Sequence, residues 1–240
     1  ASYDDLIETN LRRIALLEES ARLLYREWFV NLRFPGNEQS SVVSGIPQGW
    51  SVGFVHDHVH VLSGGTPATR TARFWGGEIP FFTPKDCRDS IYALRTEKSL
   101  TQEGLAACNS RLYPRETIFV TARGTVGKLA LAQRPMAMNQ SCYAITPKTN
   151  GLDNLFLFLA LEAGVSHLKT MASGGVFDAI VVDTFKRVPI VCPPSDIQGN
   201  FGALVRPLFD QIDTLLTQNK LLVEARDDLL PKLMSGAIRV

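Results

Sequence analysis

Apolar residues recur three and four positions apart at both ends of the chain. Tyr3, Ile7, Asn10, Ile14, Leu17, Ala21, Leu24 and Trp28 make one seam, and Val205, Leu208, Ile212, Leu215, Asn219, Leu222, Arg226, Leu229 and Leu233 make another. This spacing predicts two long helices, each with a single apolar stripe and charged residues such as Arg12, Arg13, Glu19, Arg22 and Arg26 between stripe positions. Each seam is interrupted by one asparagine. A polar residue there costs stability but fixes register and partner choice, so Asn10 and Asn219 point to a specified helix pairing; surface positions on ordinary core helices are the alternative. The pairing positions are Ile7, Asn10, Ile14, Leu17 and Leu24 on the first helix, and Ile212, Leu215, Asn219, Leu222 and Leu229 on the second. A weak repeat also aligns Leu16, Glu18, Leu23, Leu24 and Arg26 with Leu222, Glu224, Leu229, Leu230 and Lys232. The pattern leaves open whether the helices pair within one chain or between two.

Between the helices the pattern changes. A polar run at 36–41 reads as a linker, and Ile46-Pro47-Gln48-Gly49-Trp50 as a turn feeding a strand. Strand-like runs follow at 51–55, 79–83, 117–121, 128–132 and 141–146, with helical patterns at 101–109 and 154–171. A strand ending at Pro193-Pro194 places a boundary before the last helix, which Pro231 must kink or finish and Ser235-Gly236 ends. The expected fold class is therefore mixed α/β (α+β), with a globular body flanked by two long helices. The expected division is a helix and linker at 1–41, the body at 42–195 and a helix at 196–240. Turn-rich loops lie at Ser63-Gly64-Gly65-Thr66-Pro67, Trp75-Gly76-Gly77, Arg123-Gly124-Thr125 and Ser173-Gly174-Gly175. Such loops either present polar groups to a ligand or serve as plain turns.

Composition narrows the class. With 240 residues, 45% of them hydrophobic and 20% charged, the chain is long and apolar enough to bury a substantial core. No run approaches the roughly 18 apolar residues of a membrane span, and the start lacks the basic and apolar regions of a signal peptide, so the cytoplasm is the expected location. Cys87, Cys108, Cys142 and Cys192 lie far apart and read as free thiols. The net charge of +1 argues against a generic nucleic-acid coat protein. Its distribution is uneven: 42–195 holds 15 Lys or Arg against 11 Asp or Glu, whereas both flanks are slightly acidic. That asymmetry fits a body that meets an anion and ends that meet protein.

Catalytic chemistry is hard to assemble. The run from Ala122 to Leu129 resembles a phosphate-binding loop at Gly127-Lys128, but Ala122 stands where glycine is needed and Leu129 where a magnesium-binding hydroxyl is needed. A loop with Arg123, Thr125 and Lys128 can still contact nucleic-acid phosphates; a hairpin with solvated charges is the alternative. His56, His58 and His60 alternate and on a strand would share one face, yet no cysteine lies close, so no metal site is expected. Asp183 with Lys186 and Asp86 beside Lys85 fall short of a magnesium nuclease pattern. No set of nucleophile, base and orienting group emerges, and catalysis is not expected.

Seven motifs in order, set between the two helices, carry a resemblance. They are Pro47-Gln48-Gly49-Trp50, Ser63-Gly64-Gly65-Thr66-Pro67, the run from Ile79 to Asp86, Thr101 through Gly104-Leu105, Arg123-Gly124-Thr125-Val126-Gly127-Lys128, Met138-Asn139-Gln140-Ser141, and the run from Leu230 to Gly236. Together they resemble the specificity subunits of type I restriction-modification enzymes, over nearly the whole chain. Asp196-Ile197-Gln198 and Gly174-Gly175-Val176-Phe177 depart from the family's pattern. In that family a full subunit carries two target-recognition domains, each followed by a long helix, and the helices pack antiparallel as a spacer. This chain looks like one half.

The resemblance implies a non-catalytic reader of double-stranded DNA that chooses the site for a modification (methyltransferase) subunit and, through it, a restriction subunit. S-adenosylmethionine, ATP and magnesium would then reside on those partners and none in this chain. Two copies, or a copy and a second recognition half, would read a two-part target, and a 30-residue helix of roughly 45 Å would set the gap. Candidate DNA-contacting residues are Arg70, Arg73, Lys85, Arg111, Arg115, Arg123, Thr125, Lys128 and Gln140, since arginine grips guanine, glutamine grips adenine and lysine mostly meets phosphate. The competing reading is an interaction module that works through its coiled coil and binds no DNA.

Overall fold

The two seams meet within one chain. In the computed structural model, which describes residues 2–43, 45–88, 90–148, 152–171 and 179–235, helix α1 (Ser2–Tyr25) lies along helix α5 (Ser195–Met234). The register is antiparallel: Trp28 packs on Phe201 with ring centroids 5.6 Å apart, Asn10 Nδ2 donates to Asn219 Oδ1 at 2.9 Å, and Arg226 Nη1 donates to Asp4 Oδ1 at 2.8 Å. Asn219 Nδ2 also reaches the Ile7 carbonyl at 3.4 Å. The two asparagines thus satisfy each other inside the seam, where an unpartnered amide would be costly. Ile14, Ile212 and Leu215 are buried, whereas Ile7, Leu17, Leu24, Leu222 and Leu229 are half-buried. Helix α5 runs through Pro231 and ends three residues later, so this proline does not finish it.

The body follows α1 in the order β1 (Val42–Val43), β2 (Ile46–Pro47), β3 (Ser51–Phe54), α2 (Val55–His58), β4 (Val59–Ser63), β5 (Trp75–Phe82), β6 (Tyr92–Ala93), β7 (Lys98–Leu100) and α3 (Gln102–Ala106). It continues with β8 (Ile118–Thr121), β9 (Leu129–Ala132), β10 (Ala137–Met138), β11 (Cys142–Pro147), α4 (Asn154–Met171) and β12 (Pro189–Cys192). Five strands form the main sheet in the order β4-β11-β8-β9-β6. Three more form a second sheet, β10-β5-β7, in which β5 is irregular between Trp75 and Ile79. Strands β3 and β12 pair antiparallel, Val52 opposite Val191, and this brings the first and last parts of the body together. That closure lets α1 and α5 leave the body side by side.

Helix α4 is buried from Leu155 through Ala160 and Leu161, apolar all round because it packs on two sides. Phe156 on α4 meets Phe29 at 4.9 Å and Tyr25 at 5.9 Å, and Phe29 meets Phe201 at 4.8 Å. Apolar burial on this scale is the main force fixing the helix pair to the body.

Two expectations change. The 101–109 helix shortens to α3, capped by Thr101, whose hydroxyl accepts the Gly104 N–H at 3.0 Å. Residues 55–58 are a helical turn rather than strand, because Asp57 Oδ2 accepts the Phe54 N–H at 3.2 Å and such local bonds compete with a ladder. His56, His58 and His60 therefore do not share a strand face, and no group of three metal-ligand side chains occurs among the described residues. The expected loop at Ser173-Gly174-Gly175 lies outside the described residues, as does the departure at 174–177.

Candidate nucleic-acid interface

Four separate stretches converge on one depression of about 470 Å³, lined among others by Thr66, Trp75, Lys85, Lys98, Arg123, Asn139 and Gln140. The first stretch is held by its glycines. A Cβ on Gly64 would stand 2.3 Å from the Asn139 carbonyl oxygen, and one on Gly65 would stand 2.7 Å from the Asn109 nitrogen, so only glycine permits this approach. The Gly65 N–H then donates to the Met138 carbonyl at 3.2 Å, and the Thr66 hydroxyl reaches Gln140 Oε1.

The second stretch is a capping box. Asp86, 5% exposed, accepts from the Thr83 N–H at 2.8 Å, the Thr83 hydroxyl at 2.7 Å and the Glu97 N–H at 2.8 Å. Its carboxylate is used up in holding the loop, which leaves Lys85 exposed and brings Glu97 and Lys98 alongside. Lys98 sits over the Trp75 ring at 5.4 Å. The third stretch is the hairpin from Thr121 to Lys128. Gly127 N donates to the Thr121 carbonyl at 2.8 Å, Lys128 N donates to the Thr121 hydroxyl at 2.9 Å, and that hydroxyl donates to the Thr125 carbonyl. A strand, not a helix, follows Lys128, so the hairpin lacks the helix N-terminus of a phosphate-binding loop. The fourth stretch, Asn139 to Ser141, enters from the start of β11.

The structure thus separates the sequence candidates. Lys85, Arg123 and Gln140 line the depression, and Thr125 adjoins it through a 3.4 Å bond from its hydroxyl to the Pro84 carbonyl. Arg70 is exposed in the turn after Thr69, a lining residue. Arg111 is exposed next to Ser110, whose hydroxyl accepts the Met138 N–H at 3.0 Å. Arg73 pairs with Glu103 at 2.9 Å and lies 5.5 Å from the Phe74 ring centre. Lys128 lies instead in a second cleft with Glu18, Arg22 and Glu162. Lys98, Asn139, Ser141 and Thr69 also line the depression and are not among the sequence candidates; of these, Asn139 and Ser141 fall within one of the seven motifs.

Arg115 belongs to a different place. Its Nη2 lies 2.9 Å from Asp213 Oδ2 on α5, Arg206 Nη1 lies 2.6 Å from Glu116 Oε1, and Gln133 Nε2 donates to the Thr217 hydroxyl at 3.1 Å and also to Asp213. Burial is the largest single influence and works against the Arg115 charge, but Asp213, Tyr92 and Glu116 together outweigh it and the guanidinium is held more firmly protonated. Glu116 has a left-handed backbone, φ 63°, a conformation that side chains other than glycine rarely adopt. On the other side Arg22 grips Glu162 at 2.8 and 3.0 Å, and Glu18 Oε1 accepts the Ile91 N–H at 3.0 Å. Both groups tie the helices to the body.

A mixed α/β body that offers amides, hydroxyls and cations from its loops, carried on an antiparallel helix pair, defines a ligand-presenting domain on a helical spacer. The family model described as the type I restriction modification DNA specificity domain matches residues 47–225, and the chain belongs to that family. It is 30% identical over 198 residues to the MjaIX specificity subunit of Methanocaldococcus jannaschii, covering 81% of this chain and 46% of that protein. It is 28% identical over 195 residues to the HindI specificity subunit of Haemophilus influenzae, covering 80% and 42%. The chain thus spans less than half the length of these curated relatives. In fold it is similar to the S subunit of a type I restriction-modification system from M. genitalium, with a TM-score of 0.69 at 13% identity over 97% of this chain and 57% of that one. The HsdS subunit from Thermoanaerobacter tengcongensis gives 0.54 at 19% identity, covering 99% and 57%.

Proposed function

We propose that the chain is the DNA-reading half of a type I specificity subunit: the body at 42–195 reads a few base pairs of duplex, and the helices at 1–41 and 196–240 hold it at a set distance from a second reader. The observation that carries this is the gathering of Lys85, Lys98, Arg123 and Gln140 from separate stretches into one depression, on a chain of this family. None of the three cations has an ion pair among the described residues, and Glu97 is the acidic residue among those lining the depression. Cations left available in this way suit phosphates, while amide and carboxylate groups suit base edges.

The spacer serves a ruler's purpose. Helix α5 has 40 residues, about 60 Å at 1.5 Å each, which exceeds one turn of duplex. Leu16 and Leu23 stand one heptad apart on a stripe of α1 and are 69% and 43% exposed. That stripe fits docking of the modification subunit, which would recruit the restriction subunit. In this reading the chain performs no catalysis. S-adenosylmethionine, ATP and magnesium act on the partners, in the cytoplasm, and the second reader is another copy or another recognition half.

The test is to incubate the chain, with and without its modification subunit, with randomised duplexes at physiological salt and to sequence what is retained. A short motif, or a two-part motif with a fixed gap, is expected. No enrichment in either condition would reject the DNA reading in favour of an interaction module.

A further inference from the structure

We infer that Thr66 is a positioning residue that fixes the Gln140 amide so that Gln140 reads one adenine in the target. The inference rests on the DNA-reading role proposed above and goes further by assigning a base.

A free glutamine amide turns over easily and exchanges its donor and acceptor ends. Here the Thr66 hydroxyl donates to Gln140 Oε1, which holds that end of the amide against Thr66 and leaves both N–H groups of Nε2 unspent by that bond. The carbonyl oxygen keeps a second lone pair. One acceptor and an adjacent donor, in fixed order, match the N6 amino group and N7 of adenine in the major groove; guanine offers two acceptors there and would face Oε1 unpaired.

The bond is not needed to hold the loops together. The Asn139 N–H donates to the Phe82 carbonyl at 3.0 Å, the Ser141 N–H to Asn139 Oδ1 at 3.0 Å and the Gly65 N–H to the Met138 carbonyl at 3.2 Å, while Gly64 rests directly on the Asn139 backbone. Backbone and asparagine bonds fix both loops, and Thr66 and Gln140 are both exposed at the depression. The bond between them orients a side chain that the fold has already delivered.

The experiment uses the full chain and the duplex it enriches, with each adenine replaced in turn by 7-deazaadenine, which lacks the N7 acceptor. At one position the wild-type chain should lose about tenfold in affinity. Gln140→Ala should be indifferent to that replacement. Thr66→Val, which keeps the shape and removes the donor, should lose most of the preference for adenine over guanine at that position, and Thr66→Ser should restore it. A Thr66→Val chain with undiminished preference overturns the inference, as does a Gln140→Ala chain that remains sensitive wherever the wild type is. A wild-type chain that enriches no duplex overturns the DNA reading itself and the inference with it.

Discussion

Arg115 and Arg123 stand eight residues apart and have opposite surroundings. Arg115 lies at the junction of body and helices, 2.9 Å from Asp213. Arg123 lies on the β8–β9 hairpin, facing the depression, with no ion pair among the described residues. Both are arginines in a basic stretch, so residue type predicts the same role for each. What separates them is whether an acid from another element has already taken the charge. The junction spends its polar groups on holding two parts of the protein together, and the depression leaves them available. A charge with a fixed internal partner contributes to architecture; one without can be neutralised by phosphate.

The sharpest way to break the comparison is at the apolar base of the junction. Phe29 is 5% exposed, with rings of Phe201 at 4.8 Å and Phe156 at 4.9 Å. Phe29→Ala should cost about 3–5 kcal/mol in urea denaturation. A loss below about 1 kcal/mol would mean that the helices dock loosely and that the body alone sets stability.

The seam comes next. Asn10→Leu leaves the buried Asn219 Oδ1 without its donor and should cost about 1–3 kcal/mol, whereas Asn10→Leu with Asn219→Leu should recover most of it. The double variant should also pair less selectively, visible as mixed oligomers in sedimentation, because the register device is gone. A double variant whose loss equals the sum of the Asn10→Leu and Asn219→Leu losses would show that the asparagines act independently.

The two arginines then separate directly. Arg115→Ala should lose about 0.5–1 kcal/mol, since the pair is partly exposed and screened, and leave the salt dependence of DNA binding unchanged. Arg123→Ala with Lys85→Ala should leave stability within about 0.5 kcal/mol. It should also lower the slope of log affinity against log salt by about 1.8, near 0.9 for each phosphate left without its cation. An unchanged slope would remove the depression from the DNA interface and undo the distinction between the two arginines.

Much of the helix pair was legible in the sequence because a period of three and four over many turns has few alternatives. The asparagines were legible for the same reason: a polar residue in an apolar seam needs a partner. The body was legible as mixed α/β and α4 down to its bounds, whereas the strands β4, β6, β7 and β10 were not read. The histidine turn was not, because Asp57 capping Phe54 is a three-residue effect that alternation masks. The fate of each basic residue was also hidden. Asp213 lies far along the chain from Arg115 and Glu103 far from Arg73, and composition carries no trace of those pairings. Lys98 and Trp75 meet only because β5 and β7 pair, and no local pattern around either residue marks it as part of a binding surface.

The smallest effect tests whether the junction is optimised for stability. Glu18 is buried, and burial pushes its carboxyl above the ordinary value near 4.5; the Ile91 N–H and Arg22 pull the other way without overcoming it. The folded state therefore holds this proton more tightly than the unfolded state. Between the ordinary value and the raised one the folded state binds more protons, so stability falls as pH rises through that window, and above it the ionised carboxylate is a standing cost. Glu18→Gln keeps a carbonyl for the Ile91 N–H and removes the charge. It should melt slightly above the wild type at pH 7, with the difference vanishing near pH 4, where both side chains are neutral. If Glu18→Gln melts lower at pH 7, the attraction to Arg22 outweighs burial and the junction gains from its charge. The contrast with the depression would then be one of partners alone, with no penalty for burying them.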